Sequence, residues 1–174
     1  VGNLFRHTSN PVGATGDGIA MAYRLGAEVI NAEDVQFHPT ILFHRDVKRF
    51  LISESVRGEG ARLVNRANER FMERYNPGQA DLAPRDEVAR AIYREMERED
   101  SEYVRLDATG ITEFPLDERF PGIFEQCNSL GIDMRREAIP VVPGAHYFCG
   151  GVKVDLNGRT SIDGLLAAGE VACT

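Results

Sequence analysis

The chain has 174 residues, which is enough for one core of ordinary size and a small second lobe. Its composition, 43% hydrophobic and 27% charged, is typical of a globular protein, and no stretch has the apolar length of a membrane-spanning helix or the pattern of a signal peptide. The formal net charge of -7 argues against a nucleic-acid surface, because phosphate binding needs clustered lysine and arginine. We therefore expect neither nucleic acid nor a membrane as a partner. A site for an anion would have to concentrate donors locally, against the overall charge.

The three cysteines, Cys127, Cys149 and Cys173, have no metal-like pairing, and an odd number fits no disulfide framework. We therefore expect no metal site and a reducing, cytoplasmic location. Cys149 is interpreted as a small buried hydrophobe, because no base lies near it in the sequence.

The first predicted elements are a loop over residues 8–18 and a helix over residues 19–25. Thr15 or Asp17 is the predicted cap of this helix, and Gly26 is its predicted stop. Short strands are predicted at residues 35–37 and 50–52.

The clearest predicted helix spans residues 85–98, with a proline before it that suits a first turn. Apolar residues recur in it at helical spacing: Val88, Ala89, Ile92 and Met96. A second helix is predicted to begin near Pro121 and to end at Gly131. Residues 103–106 and 152–154 are typical of short strands, and residues 140–144 of an extended, irregular segment.

These elements predict an α+β fold, in which residues 41–142 form a domain inserted between two pieces of another, residues 1–40 and 143–174. The apolar run at residues 165–171 is typical of a buried strand that leads into a helix, and a complete domain rarely ends there. We therefore expect the chain to be a piece of a longer protein.

Polar segments in the centre of the chain are the first candidates for a site. His38, at the end of a predicted strand, can present a ring N–H to a carboxylate, although a loop histidine without a ligand is more common. Ser53 and Glu54 open a stretch of alternating acid, base, hydroxyl and glycine that is typical of a tight polar turn, and more often of a surface network. Arg85 begins the long helix, where a cation opposes the helix dipole unless Asp86 or a bound anion compensates.

Three further candidates lie nearer the two ends. His146 has small residues on both sides that permit close approach to a compact ligand, with a core histidine as the common alternative. Asp17 lies at a helix start, whose free N–H groups suit a phosphate. Glu170 is the acid at the tip of a predicted buried strand, a position that commonly binds a ribose hydroxyl. The glycine fingerprint of a dinucleotide-binding fold is missing, however.

Together and in this order, these segments resemble the flavoprotein family of succinate dehydrogenase, fumarate reductase and L-aspartate oxidase. The motifs are Thr-Gly-Asp-Gly at 15–18, Gln-Phe-His-Pro-Thr at 36–40, Arg-Gly-Glu-Gly at 57–60, Pro-Arg-Asp at 84–86 and His-Tyr at 146–147. The resemblance runs along nearly the whole chain. It implies that residues 41–142 are a substrate-capping domain and that residues 1–40 and 143–174 belong to an FAD-binding α/β domain.

The resemblance also implies a role for each candidate residue. Asp17 and Glu170 would contact FAD. The substrate would be bound by His38, Ser53, Glu54 and His146, and Arg85 would transfer a proton. Many relatives have threonine at the position of Ser53. A carboxylate network would have to lower the basicity of Arg85, and the candidates for it are Glu54, Glu59 and Asp86.

Several details resemble the aspartate oxidase branch, namely Phe-Leu-Ile-Ser-Glu at 50–54, Leu-Ala-Pro-Arg-Asp at 82–86, His44, Gly-Ile-Asp at 131–133 and the cysteine within residues 146–151. The branch implies oxidation of L-aspartate to iminoaspartate for NAD biosynthesis, with hydride transfer from C2 to FAD and with fumarate or oxygen as the eventual acceptor. The implied partners are the dicarboxylate substrate, the rest of the FAD-binding domain and, functionally, quinolinate synthase. We expect this chain alone not to retain FAD. The alternatives are a succinate dehydrogenase or fumarate reductase flavoprotein, and a non-catalytic structural module.

Overall fold

The computed structural model describes residues 2–45 and 50–174, and it divides the chain into two compact units. The central unit is His38–Gly144, and the terminal unit consists of Val1–Phe37 with Ala145–Thr174. The boundaries predicted from the sequence lie after residues 40 and 142, whereas those of the two units lie after Phe37 and Gly144.

The described residues form six α-helices and seven strands, which confirms the α+β class. The helices are α1 (Asp17–Arg24), α2 (Glu54–Gly58), α3 (Met72–Tyr75), α4 (Arg85–Glu99), α5 (Leu116–Arg119) and α6 (Pro121–Ser129). The strands are β1 (Val29–Ile30), β2 (Val35–Leu42), β3 (Arg62–Val64), β4 (Val104–Asp107), β5 (Ile139–Phe148), β6 (Gly151–Lys153) and β7 (Ala172–Cys173). Single turns of 3-10 helix lie at Gly2–Leu4, Ala80–Leu82 and Gly169–Val171.

The central unit is built on a four-stranded sheet in the order β2-β5-β4-β3. Strand β4 pairs antiparallel with both β3 and β5. Helix α4 buries Val88 and Ile92 completely, in one apolar cluster with Leu63 of β3 and Leu106 of β4. Each such side chain contributes about 1.5–3 kcal/mol when it is fully buried, so α4 is firmly held and its first residue, Arg85, has a defined position.

The terminal unit contains a three-stranded sheet in the order β1-β6-β7. Strand β6 pairs antiparallel with β1 and parallel with β7. The chain turns from β5 into β6 at Gly150, where an added Cβ would lie 2.1 Å from the carbonyl oxygen of Asn31. Only glycine therefore fits this close approach of two backbone segments.

Both helices predicted from apolar periodicity are confirmed. The helix expected at residues 85–98 is α4, and the helix expected from Pro121 is α6, which ends one residue before the C-cap Leu130. Gly131 follows with φ of 79°, a left-handed conformation that suits a helix stop. Apolar side chains that recur at helical spacing are a strong signal of a helix packed on a core, and this signal was sufficient to predict both helices.

Two predictions about strands were wrong. Residues 140–144 are not irregular but belong to the ten-residue strand β5, because a proline lacks the N–H yet keeps its carbonyl: the oxygen of Pro140 accepts the N–H of Phe43 at 2.9 Å. Residues 50–52 do not form a strand, and Leu51 makes an isolated bridge to Ile41.

Three further predictions concerned the terminal unit and were also wrong. The N-cap of α1 is Gly16, in a left-handed conformation with φ of 84°, and not Thr15 or Asp17. The apolar run at residues 165–171 is not a buried strand, since Leu166 is 66% exposed and the run ends in a 3-10 helix. Cys149 is exposed, whereas Cys127 and Cys173 are buried.

None of the described helices is long and apolar enough to cross a bilayer. Residues 2–45 and 50–174 also contain no group of three or more histidine, cysteine, aspartate or glutamate side chains placed to hold a metal ion.

Candidate functional site

Ser53 and Glu54 lie on a single turn of helix, α2, rather than on the polar turn that the sequence predicted. The Ser53 Oγ accepts the N–H of Ser55 at 3.2 Å and so caps the helix. Glu54 is the first helical residue, and its side chain is 43% exposed. The segment was mispredicted because its glycines, at positions 58 and 60, lie at the end of the helix and not inside it.

Arg85 donates from Nε to the Glu54 Oε2 at 2.7 Å. This contact joins the first residue of α4 to the first residue of α2. A carboxylate at that position offsets the unfavourable placement of a cation at a helix N-terminus. Of the three carboxylates proposed from the sequence, Glu54 is therefore the one in contact with Arg85. The other two pair elsewhere, Asp86 with Arg90 at 2.6 Å and Glu59 with Arg119 at 2.5 Å.

A second arginine, Arg57, also lies near the Glu54 carboxylate and has no role in the predictions made from the sequence. It is 0% exposed, and its Nη2 lies 4.0 Å from the Glu54 Oε2. Its Nη1 donates to the carbonyl oxygen of Asp81, while Nε and Nη2 have no hydrogen-bond partner among the described residues. Burial is the main cause that lowers the pKa of Arg57. Its spacing of three residues from Glu54 on a helix is the signal that could have found it.

The Glu54 Oε2 thus lies near two guanidinium groups, and the pKa of Glu54 is lowered. The hydrogen bond from Arg85 is the largest cause. Burial acts in the opposite direction, and the charges of Arg57 and Arg85, with a smaller electrostatic influence of His38, lower the pKa further. Glu54 is therefore an anion at neutral pH, and it can orient Arg85 while staying accessible to solvent.

His38 lies inside β2 and is 1% exposed, so the prediction of a histidine at a strand end was wrong. The backbone N–H of Thr40 donates to the His38 Nδ1 at 3.2 Å. A nitrogen that accepts a hydrogen bond carries no proton, which assigns the proton of the neutral ring to Nε2. The Thr40 Oγ1 donates to the carbonyl oxygen of Ile52 at 2.8 Å, and this bond anchors the residue that precedes Ser53.

His146, on β5, lies in the terminal unit and is half-buried. Its Nδ1 is 2.6 Å from the hydroxyl of Ser9, and its carbonyl oxygen accepts the side-chain N–H of Asn10 at 2.7 Å. Ser9 and Asn10 lie in the loop predicted over residues 8–18 and have no role in the predictions made from the sequence. No local pattern reveals a contact between residues 137 positions apart.

Asp17 and Glu170 are exposed carboxylates in the terminal unit. Asp17 accepts the hydroxyl of Thr15 at 2.8 Å, and no side chain caps α1. Glu170 precedes β7 within a 3-10 helix, so its predicted place at the tip of a strand was wrong. Its Oε1 accepts the N–H of Phe148 at 3.1 Å. Exposed carboxylate oxygens and an uncapped helix N-terminus fit the hydroxyls and phosphates of a dinucleotide.

The structure therefore brings the four candidates of the central unit together. Ser53 caps the helix that Glu54 begins, Glu54 contacts Arg85, and His38 interacts electrostatically with Glu54. In the terminal unit, the bond from Phe148 to Glu170 lies two residues along β5 from His146.

Comparison with known proteins gives one family match, the FAD binding domain, over residues 2–174. The chain is 53% identical to L-aspartate oxidase 1 of Ralstonia nicotianae and 50% identical to L-aspartate oxidase of Pseudomonas aeruginosa, in alignments that cover 99% and 98% of this chain and 32% of each relative. Among solved structures it is similar to quinol fumarate reductase of E. coli, with a TM-score of 0.91 and 35% identity over 99% of this chain and 32% of that one. It is also similar to Sdh1 of Mycobacterium smegmatis, with a TM-score of 0.76 and 38% identity over 99% and 30%. The chain thus spans about a third of the length of the proteins that it matches.

Proposed function

This chain belongs to the FAD binding domain family, and from that premise we propose that it is the substrate-binding segment of an FAD-dependent L-aspartate oxidase. The observation that carries the proposal is the ion pair between Arg85 and Glu54, with the buried Arg57 close to the same carboxylate. Two guanidinium groups thus lie close together in a chain whose net charge is -7. Identities of 50–53% to enzymes named L-aspartate oxidase support this branch. Residues 41–142 would be its capping domain.

Substrate binding is assigned to groups that donate hydrogen bonds. In the central unit these are the His38 Nε2–H, the Ser53 hydroxyl and the Arg85 guanidinium, and in the terminal unit the imidazole of His146. L-aspartate carries two carboxylates, and each needs several donors to replace its hydration. Glu54 acts through Arg85, because the ion pair holds the guanidinium in one orientation.

FAD, when bound, supplies the hydride acceptor for C2 of the substrate. We assign Asp17 and Glu170 to its ribose hydroxyls, since both are exposed acceptors. Oxidation of an amine to an imine leaves the amino group to release protons, so Arg85 serves mainly to position L-aspartate. When fumarate is the acceptor, a proton must reach carbon. Arg85 would supply it, and Glu54 contacts Arg85 at 2.7 Å and lies 4.0 Å from the buried Arg57.

The proposal is tested on the full-length, FAD-loaded enzyme with L-aspartate and with succinate. Anaerobic bleaching of the flavin by L-aspartate, with little bleaching by succinate, is the expected result. Replacing His146 by alanine should raise KM for L-aspartate by about tenfold or more, because a bond to a charged carboxylate contributes about 1.5–3 kcal/mol. Bleaching by succinate without turnover of L-aspartate would exclude the oxidase and leave only the wider family.

A second prediction concerns the isolated chain. The 174 residues lack the glycine fingerprint that holds the FAD pyrophosphate, so the purified chain is expected to be colourless and to contain far less than one FAD per protein. Absorbance at the flavin band after gel filtration with excess FAD measures this directly. A yellow, stoichiometric complex would contradict it.

A succinate dehydrogenase or fumarate reductase flavoprotein is the second candidate. It is favoured by the TM-score of 0.91 to quinol fumarate reductase of E. coli, although the identity there is 35%. The substrate experiment separates the two. A place in NAD biosynthesis, a cytoplasmic location and a functional link to quinolinate synthase follow only from the oxidase assignment and are proposed with it.

A further inference from the structure

The segment at residues 8–10 carries side chains that the proposed reaction leaves without a role. It runs beside the end of β5, where Thr8 makes a parallel bridge to Ala145. The N–H of Ser9 and the hydroxyl of Thr8 both donate to the carbonyl oxygen of Ala145, at 3.0 and 2.7 Å, and the N–H of Ala145 donates to the carbonyl oxygen of His7 at 2.9 Å. These bonds hold Ser9 in register with His146.

Asn10 completes this frame around His146. Its side-chain N–H donates to the carbonyl oxygen of His146 at 2.7 Å, and its Oδ1 accepts the N–H of Gly2 at 3.1 Å. Its own N–H donates to the Thr8 Oγ1 at 3.0 Å. The hydroxyl of Ser9 is thereby carried on a backbone with little freedom to move, and it lies 2.6 Å from the His146 Nδ1.

We propose that Ser9 is the positioning residue of His146. Its O–H donates to Nδ1, so the neutral ring keeps its proton on Nε2 and offers one N–H to a substrate carboxylate in a fixed direction. A histidine that lacks such a partner divides its population between two tautomers and several ring orientations, and only part of that population can donate. This inference rests on the substrate-binding role proposed for His146, but the bond itself does not depend on that role.

The test is a set of variants in the full-length, FAD-loaded enzyme: Ser9→Ala, Ser9→Thr, His146→Ala and the double variant Ser9→Ala/His146→Ala. Ser9→Ala is expected to raise KM for L-aspartate about tenfold with kcat changed less than threefold, and Ser9→Thr is expected to restore most of the loss, because it keeps the hydroxyl. In the His146→Ala background, Ser9→Ala should have no further effect. Ser161→Ala is the matched control, since Ser161 is an exposed serine of the same unit that accepts the N–H of Glu28 at 2.9 Å.

Nitrogen NMR of histidine-labelled protein supplies a measurement that does not need activity. The His146 Nδ1 should be unprotonated in the wild-type protein and shift in Ser9→Ala towards the average of the two tautomers. A protonated Nδ1 in the wild type, or an effect of Ser9→Ala that persists without His146, would overturn the proposal. If L-aspartate is not a substrate at all, the NMR result still decides whether Ser9 positions His146. Failure of the proposed function is thus distinguishable from failure of the role proposed for Ser9.

Discussion

Replacing Arg85 by leucine is expected to lower kcat/KM for fumarate reduction by about 10³–10⁴-fold and for L-aspartate oxidation by about 100-fold. Both reactions lose the guanidinium that orients the dicarboxylate, but only fumarate reduction also loses the proton donor to carbon. Arg85 is 38% exposed on its side chain, so the variant is expected to fold. Stopped-flow measurement of flavin oxidation by fumarate and of flavin reduction by L-aspartate gives the two rates separately.

The matched control for this prediction is Arg90→Leu, five residues along α4. Arg90 is also an exposed arginine paired with a carboxylate, since its Nη2 lies 2.6 Å from the Asp86 Oδ2. We expect this variant to keep both rates within about threefold of the wild type, because an exposed pair contributes less than about 1 kcal/mol. Equal losses in both directions for Arg85→Leu would show that Arg85 only positions the substrate. Retention of both activities would remove it from the site.

The same contact has a consequence for Glu54. In Arg85→Leu the carboxylate loses the hydrogen bond that is the main cause of its lowered pKa, so that pKa should move back towards its ordinary value. Glu54→Gln is expected to raise KM and lower activity, with the substrate preference unchanged. The reason is that glutamine accepts a hydrogen bond from Arg85 but supplies no negative charge.

The parts of the fold predicted correctly from the sequence are those determined by local periodicity. Val88 and Ile92 recur on one face of α4, and both are fully buried. Gly131 ends the segment after α6 because it reaches a left-handed conformation without strain. Where a proline or a glycine interrupted the pattern, the prediction failed, as at Pro140 within β5 and at the residues after α2. Pro140 is held in β5 by pairing with Arg105 of β4, which is distant in the sequence.

In the candidate site, too, local sequence patterns predicted some features, whereas others depend on contacts between distant residues. Short motifs identified Glu54 and Arg85 as polar groups worth attention, yet only the folded chain shows that they touch each other and that Asp86 does not fill that place. Arg57 was overlooked because a charged residue in a polar stretch is usually solvated, and here it is fully buried. The contact of Ser9 with His146 joins segments from opposite ends of the chain, which periodicity cannot reveal.

The largest expected effect on stability belongs to Glu95, a carboxylate of α4 that is 0% exposed. It accepts hydrogen bonds from Asn65 at 3.1 Å, Arg74 at 2.6 Å and Tyr75 at 3.0 Å. Burial raises the pKa of Glu95, but the bonds from Asn65 and Tyr75 and the charges of Arg74 and Arg98 outweigh it, so the pKa is lowered overall. The network is satisfied only while this carboxylate is present and charged.

Glu95→Ala is therefore expected to lower the free energy of unfolding by about 3–5 kcal/mol, since it leaves buried donors without an acceptor. Because the pKa of Glu95 is lowered in the folded state, its contribution to the free energy of unfolding is fully present above the unfolded-state pKa of glutamate, about 4.3. This contribution is lost as the pH falls through the lower pKa of the folded state. Urea unfolding at several pH values measures the loss of stability and its pH dependence. Circular dichroism follows the unfolding, because the chain has no tryptophan for fluorescence. Glu97→Ala, an exposed acid on the same helix, should change the free energy by less than about 0.5 kcal/mol. A loss below about 1 kcal/mol for Glu95→Ala would show that water replaces the carboxylate and that the network does not hold α4 in place.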